Sequence, residues 1–589
     1  MNYLKTNQLP RLVGWGAAVI ITLSFAAIVK VIVIIQIEGW EGFTLSHTLL
    51  LTALELVALA AALALALWHP RSRAWLRALL DRPRLVAGGA GAFVLLVWGS
   101  IKLHESIIID GTRYWWLFDD AMISMRYAHN LVQGHGLVWN PGEYVEGYSN
   151  MLWVLLMALV HLLPISVAHT SLVVGLINIA LVAALMPIVA RLSDHLGGDA
   201  LTRALAVATL ALNLYLFYWT LQGAEVILLA LLWLWGLVCV LDDRAAQRVS
   251  LRPFLLFSLV PLVRADAVVL AGIGVALALL LLWPQVPTRR LHLLGFIALV
   301  GVPFLLHLLW RVAYYGDIVP NTAHLKVTGM HIGDRLILGL GYLMPIVYSF
   351  PLLTALLLTS PRREHLNRLL WSGALVYIGY LVFVGGDIFG YGRFFIPVLP
   401  LFVVLAFRSM QQVVMGAPRV GVGVMMLLCT PLILPPILTH RHIHRDNVAL
   451  AVKLKQIAPP DAVVADTWAG TPFYYSGLRG VDLLGKNDAY IAHLPAEYGL
   501  MIGHNKMDLN YSLGVLKPDI VLGSFPGVVT EEMIQQWEED ELYWRSELYR
   551  NPLFLEHCRP YKLPVDTWRA IHVCDWSPHW SAMQTRWGP

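Results

Sequence analysis

The sequence predicts an α-helical polytopic membrane protein with a C-terminal soluble α/β or α+β domain, and three observations carry that prediction. Of the 589 residues, 58% are hydrophobic and only 14% charged, where a soluble protein carries about 25% charged residues. Apolar stretches long enough to cross ~30 Å of hydrocarbon recur as far as about residue 440. Beyond His440 they stop and the composition turns polar. The mean hydropathy of +0.65 agrees with lipid as the main solvent. A net charge of +4, dispersed along the chain, leaves no nucleic-acid footprint.

Long apolar runs start near residues 12, 46, 85, 170, 203, 225, 266, 292, 337, 367, 394 and 418, with a shorter one over 253–264. The first is too long for a signal-peptide core and reads as a retained helix. Orientation follows from the arginines. HPRSRAWLRALLDRPR, His69 to Arg84, holds five of them and is expected inside. The basic connectors Asp242 to Arg252, Pro287 to Arg290, Pro361 to Arg368 and Arg408 to Arg419 all fall inside under one condition. The 13-residue run MLWVLLMALVHLL after Asn150 must lie along the surface, and Pro253 to Leu282 must cross twice, turning outside near Arg264. About thirteen transmembrane helices result. The segments Lys102 to Asn150, Thr220 to Glu225, Arg264 to Asp266, Tyr314 to Lys326, Gly385 to Arg393 and the whole tail then face outward.

Three domains are expected: a transmembrane hairpin and basic loop over 1–84, a transmembrane module over 85–439 with an outer loop at 104–169, and an extracytoplasmic domain over 440–589. In the tail, DAVVAD (Asp461 to Asp466) reads as a strand and EEMIQQWEEDELYWRSELY as a charged amphipathic helix. Cys239 and Cys429 lie in apolar runs. Cys558 and Cys574 lie in the tail and can pair if it is outside.

The most informative segment is WWLFDDAMISMRYAHNLVQGHGLVWNPGEYVEGYSN, Trp115 to Asn150. Paired carboxylates near low dielectric push one pKa up, which suits proton transfer near neutral pH, so Asp119 and Asp120 are catalytic candidates. Taken alone, they read equally well as caps of the helix that follows, a surface helix with Met122, Met125 and Val132 on one face. Glu225 opens an apolar span, where an acid faces a cavity or caps the helix. Arg264 either pairs with Asp266 or offers its guanidinium to a phosphate. In YYGDIVPNT the residues Gly316, Asp317, Pro320 and Asn321 build a rigid turn, with Tyr315 and Lys326 at its edges. Asp387 and Arg393 bracket a glycine-rich turn. His440, His442 and His444 have a spacing that suits a strand and read as a solvated linker, and His135 and His504 read as scaffold residues. No residue is assigned as a metal ligand.

The string FDDA…RYA.NL..G.GLVWNPGE.VEGYSN resembles the first extracytoplasmic loop of the GT-C superfamily of glycosyltransferases, which use polyprenyl-phosphate sugars. It is most similar to the terminal arabinofuranosyltransferases of the mycobacterial cell wall and to related enzymes that modify pilin. WRVAYYGDIVPNTAHLK, VGGDIFGYGRFFIPVLP and VDLLGKNDAYIAH also look like family signatures. Residues 1 to about 80 fall outside the resemblance. It implies transfer of a sugar, D-arabinofuranose by analogy, from a polyprenyl-phosphate donor to an extracytoplasmic glycan or protein acceptor at a bilayer surface. Asp119, Asp120 and Glu225 would be catalytic, with Asp119 the more critical as the superfamily's first acid. Arg126, Arg264, Tyr315, Asn321, Lys326, Asp387 and Arg393 would bind the donor's phosphate and sugar, and the tail would supply part of the acceptor site. Some superfamily members hold a divalent ion near the acidic pair, so a divalent cation there is the one cofactor left open. The alternative from another class is a lipid-linked oligosaccharide flippase. Against it stand the lack of a sequence repeat and the gathering of polar motifs on one side. The protein is expected in the cytoplasmic (inner) membrane, with its site and tail facing the periplasm or exterior.

Overall fold

The computed structural model describes residue 74 and residues 78–284, 287–349, 364–389, 392–413, 435–497, 501–523, 529–540, 542–561 and 569–587. The first two expected spans, the run starting near 418, Cys429 and the side chains of His440 and His442 lie outside the described residues. Among those described, six helices are long and apolar enough to cross a membrane: Pro83–His104, Val167–His195, Val226–Ala245, Ala265–Leu282, Pro287–Tyr315 and His365–Val384. A seventh is added if Ala200–Ala211 and Leu214–Leu221, bent by 43°, count as one span. Asn213 makes that break by accepting from the Leu216 N–H at 2.8 Å, which caps the second half as a new helix.

Met151–His161 forms the short apolar helix expected after Asn150. Arg252–Val263 is also short. Its 12 residues rise about 18 Å, less than the ~30 Å of hydrocarbon, and it ends with Arg264 in an extended conformation. Two spans stop at left-handed glycines, Gly316 at φ 80° and Gly385 at φ 90°, where a side chain would be strained. Each glycine opens a motif loop.

Residues 104–169, the expected outer loop, begin with a hairpin of β1 (Ser106–Ile109) and β2 (Thr112–Trp115). The helix Asp119–Val132 follows. It is not the surface helix expected: ten of its fourteen residues are buried, because the tail covers its polar face.

The tail is built on a five-stranded mixed sheet. Its strands are β3 (Val463–Asp466), β4 (Arg479–Asp482), β5 (Ile520–Gly523), β6 (Cys558–Tyr561) and β7 (Ala570–Cys574), in the order β4-β3-β5-β7-β6. β3 runs parallel to β4 and β5, while β7 runs antiparallel to β5 and β6. Apolar residues on both faces of β3, β5 and β7 explain their central places. Cys558 and Cys574 are joined by a disulfide across β6 and β7. The expected charged helix is two helices, Glu531–Glu539 and Tyr543–Arg550. His440 to His444 fall in the helix Pro435–Ile457, not in a strand. His444 is buried with its ring 5.8 Å from that of Trp468, so this part of the segment is not a solvated linker.

Candidate active site between the membrane helices and the tail

The tail is bonded directly onto the outer loop. Arg126 donates from Nε to Trp139 O (2.6 Å), from Nη1 to Phe473 O (2.6 Å), and from Nη2 to Leu478 O (2.9 Å) and Asn140 Oδ1 (3.0 Å). Asn140 itself exchanges two hydrogen bonds with the Gly480 backbone. The Trp139 indole donates to Ala469 O and the Tyr127 hydroxyl to Asn487 Oδ1.

The irregular segment Glu143–Asn150 is braced from other sides as well. A buried ion pair joins Glu146 to Arg311 at 2.5 Å. The Asn321 N–H donates to Glu146 O at 3.0 Å, and the Ala265 N–H to Ser149 O at 3.0 Å. The Phe118 N–H reaches Gln222 O at 3.2 Å. Asn178 and Trp153 fix the turn before Glu225 through the carbonyls of Ala224 and Gly223. Segments remote in sequence are thereby held against one another.

They border a cavity lined by Asp120, Glu225, Arg264, Lys326, Asp387, Arg393, Lys486 and His504 among others. Two arginine-centred clusters organise its wall. Arg264 donates to both Asp266 oxygens (2.9 and 2.7 Å) and to Glu225 Oε1 (2.7 Å). Arg393 donates to both Asp387 oxygens (2.7 and 3.0 Å) and to Asp120 Oδ2 (2.9 Å). Each guanidinium therefore grips one aspartate bidentately and steers a second carboxylate.

The other Asp120 oxygen accepts from Lys486 Nζ at 3.1 Å. Burial alone would raise the Asp120 carboxyl, but Lys486, Arg393 and Lys326 outweigh it and hold the group ionised, well below the usual range. Burial depresses Lys326. Among the described residues Lys326 makes no hydrogen bond or ion pair; its ammonium lies 5.4 Å from the Phe394 ring centre. Burial, with Lys486 nearby, pushes the His504 imidazole down to about 3, so it faces the cavity neutral.

The remaining candidates named from the sequence stand apart from these. Asp119 does not line the cavity. Its oxygens accept the backbone N–H groups of Gly470 (3.1 Å) and Thr471 (2.8 Å), at the start of the tail helix Thr471–Ser476. Burial pushes its carboxyl up to about 6 against the pull of Lys486 and the Thr471 N–H. Arg126 touches tail carbonyls, and Asn321 donates to the carbonyls of Gly485, Lys486 and Asp488. Tyr315 donates to Leu137 O at 2.6 Å. None of Arg126, Asn321 and Tyr315 lines the cavity. Lys486 lies within the VDLLGKNDAYIAH motif, yet nothing local marks its charge as a partner of Asp120. His504 carries no sequence signal beyond being a single histidine.

Comparison with known proteins adds three findings. A family model described as a domain of unknown function (DUF8728) matches residues 439–576. The terminal β-(1→2)-arabinofuranosyltransferase of Mycobacterium tuberculosis is 26% identical over 311 residues, 47% of this chain and 44% of its own. The chain thus spans less than half the length of that curated relative. Among solved structures, ArnT from Cupriavidus metallidurans bound to undecaprenyl phosphate aligns over 83% of this chain and 98% of its own, at 12% identity and a TM-score of 0.48. The Archaeoglobus fulgidus oligosaccharyltransferase AglB, in complex with an inhibitory peptide and a dolichol-phosphate, aligns over 80% of this chain and 73% of its own, at 11% identity and a TM-score of 0.45. Over those 311 residues the chain is similar to a terminal arabinofuranosyltransferase, the group that its motifs resemble.

Proposed function

We propose that the protein transfers a sugar, D-arabinofuranose by its similarity to the mycobacterial relative, from a polyprenyl-phosphate donor to an extracytoplasmic glycan or protein. The observation that carries this reading is the Lys326 ammonium, unbonded among the described residues and facing a cavity whose carboxylates are already fixed by arginines. Arg264, Arg393 and Lys486 each donate to a carboxylate, and Lys326 does not among the described residues, which leaves its charge open to an anion. In the reaction, the bond from the acceptor oxygen to the anomeric carbon forms and the bond from that carbon to the phosphate oxygen breaks. Polyprenyl phosphate leaves onto Lys326 and Lys486, and the acceptor proton passes to a carboxylate. Asp120 and Glu225 are the two carboxylates that Arg393 and Arg264 orient toward the cavity, where they stabilise positive charge at the anomeric centre. Arg264 already commits three of its five N–H groups to Asp266 and Glu225, so its role here is orientation. Neutral His504 is placed to hydrogen-bond a sugar hydroxyl.

The direct test is incubation of purified protein with a polyprenyl-phosphate pentose. Release of lipid phosphate that depends on an added acceptor is the expected result; lipid movement across a vesicle without release would instead favour the flippase. Lys326→Ala is expected to weaken polyprenyl-phosphate binding by about 1.5–3 kcal/mol, the value of one charged hydrogen bond, read by titration of the lipid. Because burial lowers the Lys326 pKa, its charge is lost sooner as pH rises than that of an exposed lysine. Donor affinity should therefore fall as pH rises, and Lys326→Arg should flatten that fall.

An external tail is part of the same proposal. The Cys558–Cys574 disulfide supports it, as do the basic connectors of the sequence. A C-terminal reporter active only in the cytoplasm should stay silent; activity from it would overturn the orientation.

A further inference from the structure

Where the outer loop meets the tail, three side chains that neither line the cavity nor enter the proposed reaction converge. Asp317 Oδ2 and His324 Nε2 are 2.8 Å apart. The rings of His324 and His493 are 4.1 Å apart at their centres. One ligand atom from each of the three lies within 4.8 Å of the others. His324 is on the helix Asn321–Val327, and His493 ends the tail helix Ala489–His493. We propose that Asp317, His324 and His493 form a binding site for a divalent transition ion of the zinc class, which clasps the tail onto the outer loop.

The donor set suits such an ion. Two imidazoles and one carboxylate, with the fourth position left to water, is a common zinc arrangement. Magnesium and calcium prefer all-oxygen shells. The unused atoms of two ligands are already oriented. His493 Nδ1 is 2.6 Å from Ala489 O; a carbonyl only accepts, so Nδ1 carries the proton and Nε2 presents its lone pair. Asp317 Oδ1 accepts the Val319 N–H at 3.2 Å, which leaves Oδ2 for the ion. His493 is exposed, so its ring can swing in to the roughly 2 Å bond that zinc requires.

The two segments are held together by other means as well, which makes the site preformed. Lys506 Nζ donates to His324 O at 3.0 Å and to Ala492 O at 2.8 Å, bridging the residues on either side of the junction. Asn321, one turn before His324, holds the carbonyls around Lys486. The clasp thus joins the helix that carries Lys326 to the tail segment that carries Lys486. A plain His324–Asp317 ion pair is the competing explanation, and it would need neither His493 nor a metal.

The experiment uses the full chain without a histidine tag, stripped with a chelator and dialysed against Zn²⁺. Metal analysis is expected to find about one zinc per chain. His493→Ala, a change at an exposed position, should weaken zinc by more than about 100-fold, since even outer-shell changes cost 10–100-fold. His324→Ala should do the same. Co²⁺ added to the wild-type protein should show the visible absorption of a tetrahedral ion, absent in His493→Ala. Zinc also should slow hydrogen exchange of residues 489–497 in the wild-type chain only. Full stoichiometry retained in both variants, or no zinc taken up by the wild type at micromolar concentration, would overturn the site. All of these readouts are independent of turnover, so they stand or fall apart from the glycosyltransferase reading.

Discussion

Asp120→Asn is expected to lower sugar transfer by about 10²–10³-fold, the range for loss of one preorganised electrostatic contact at a reacting centre, while the protein stays folded and membrane-inserted. The carboxylate accepts from both Arg393 and Lys486, so an amide would leave two buried cations short of a counter-charge and would remove the negative charge facing the sugar. Asp119→Asn is the paired control. Its carboxylate caps the Thr471–Ser476 helix, so turnover per folded molecule should stay near wild type while thermal stability falls by about 0.5–2 kcal/mol. Assaying both variants at matched folded concentration separates the two roles. A near-normal Asp120→Asn with a dead Asp119→Asn would reverse the assignment.

The second large effect is one of stability. Arg126→Ala is expected to destabilise the protein by about 3–5 kcal/mol, because four buried oxygen acceptors lose a charged donor at once. Thermal unfolding in detergent should show it, with the tail becoming sensitive to protease first. If Arg126 instead bound donor phosphate, as the motif resemblance implies, the variant would keep its melting temperature and lose lipid affinity.

These two residues show where the sequence was readable. Hydropathy marked the spans seen in the described residues, and the short apolar run of DAVVAD marked the strand at Val463–Asp466. The motif loops did converge: Asp120, Glu225, Arg264, Lys326, Asp387 and Arg393 line one cavity or wall. Which of Asp119 and Asp120 lines the cavity was not legible, because neighbours on a helix point about 100° apart and only the packing decides which one faces it. The same applies to the helix that carries them: its polar face looked solvated until the tail was laid over it. Lys486 was hidden for a related reason. Its partner is 366 residues away, and no local periodicity encodes a pairing of that range.

That separation also has a consequence for biogenesis. A chain made at 5–20 residues per second needs about 20–70 s to progress from Asp120 to Lys486. During that interval the FDDA helix has been delivered to the membrane surface without the carbonyls that later cap Arg126 and without the N–H groups that later cap Asp119. The newborn outer loop is therefore an unfinished half-site awaiting its C-terminal partner, with the Arg126 guanidinium and the Asp119 carboxylate short of their tail contacts meanwhile. Chains released before the tail emerges should be degraded rather than accumulate as inactive enzyme, and a quality-control protease that reads this surface would in effect be checking that synthesis was completed.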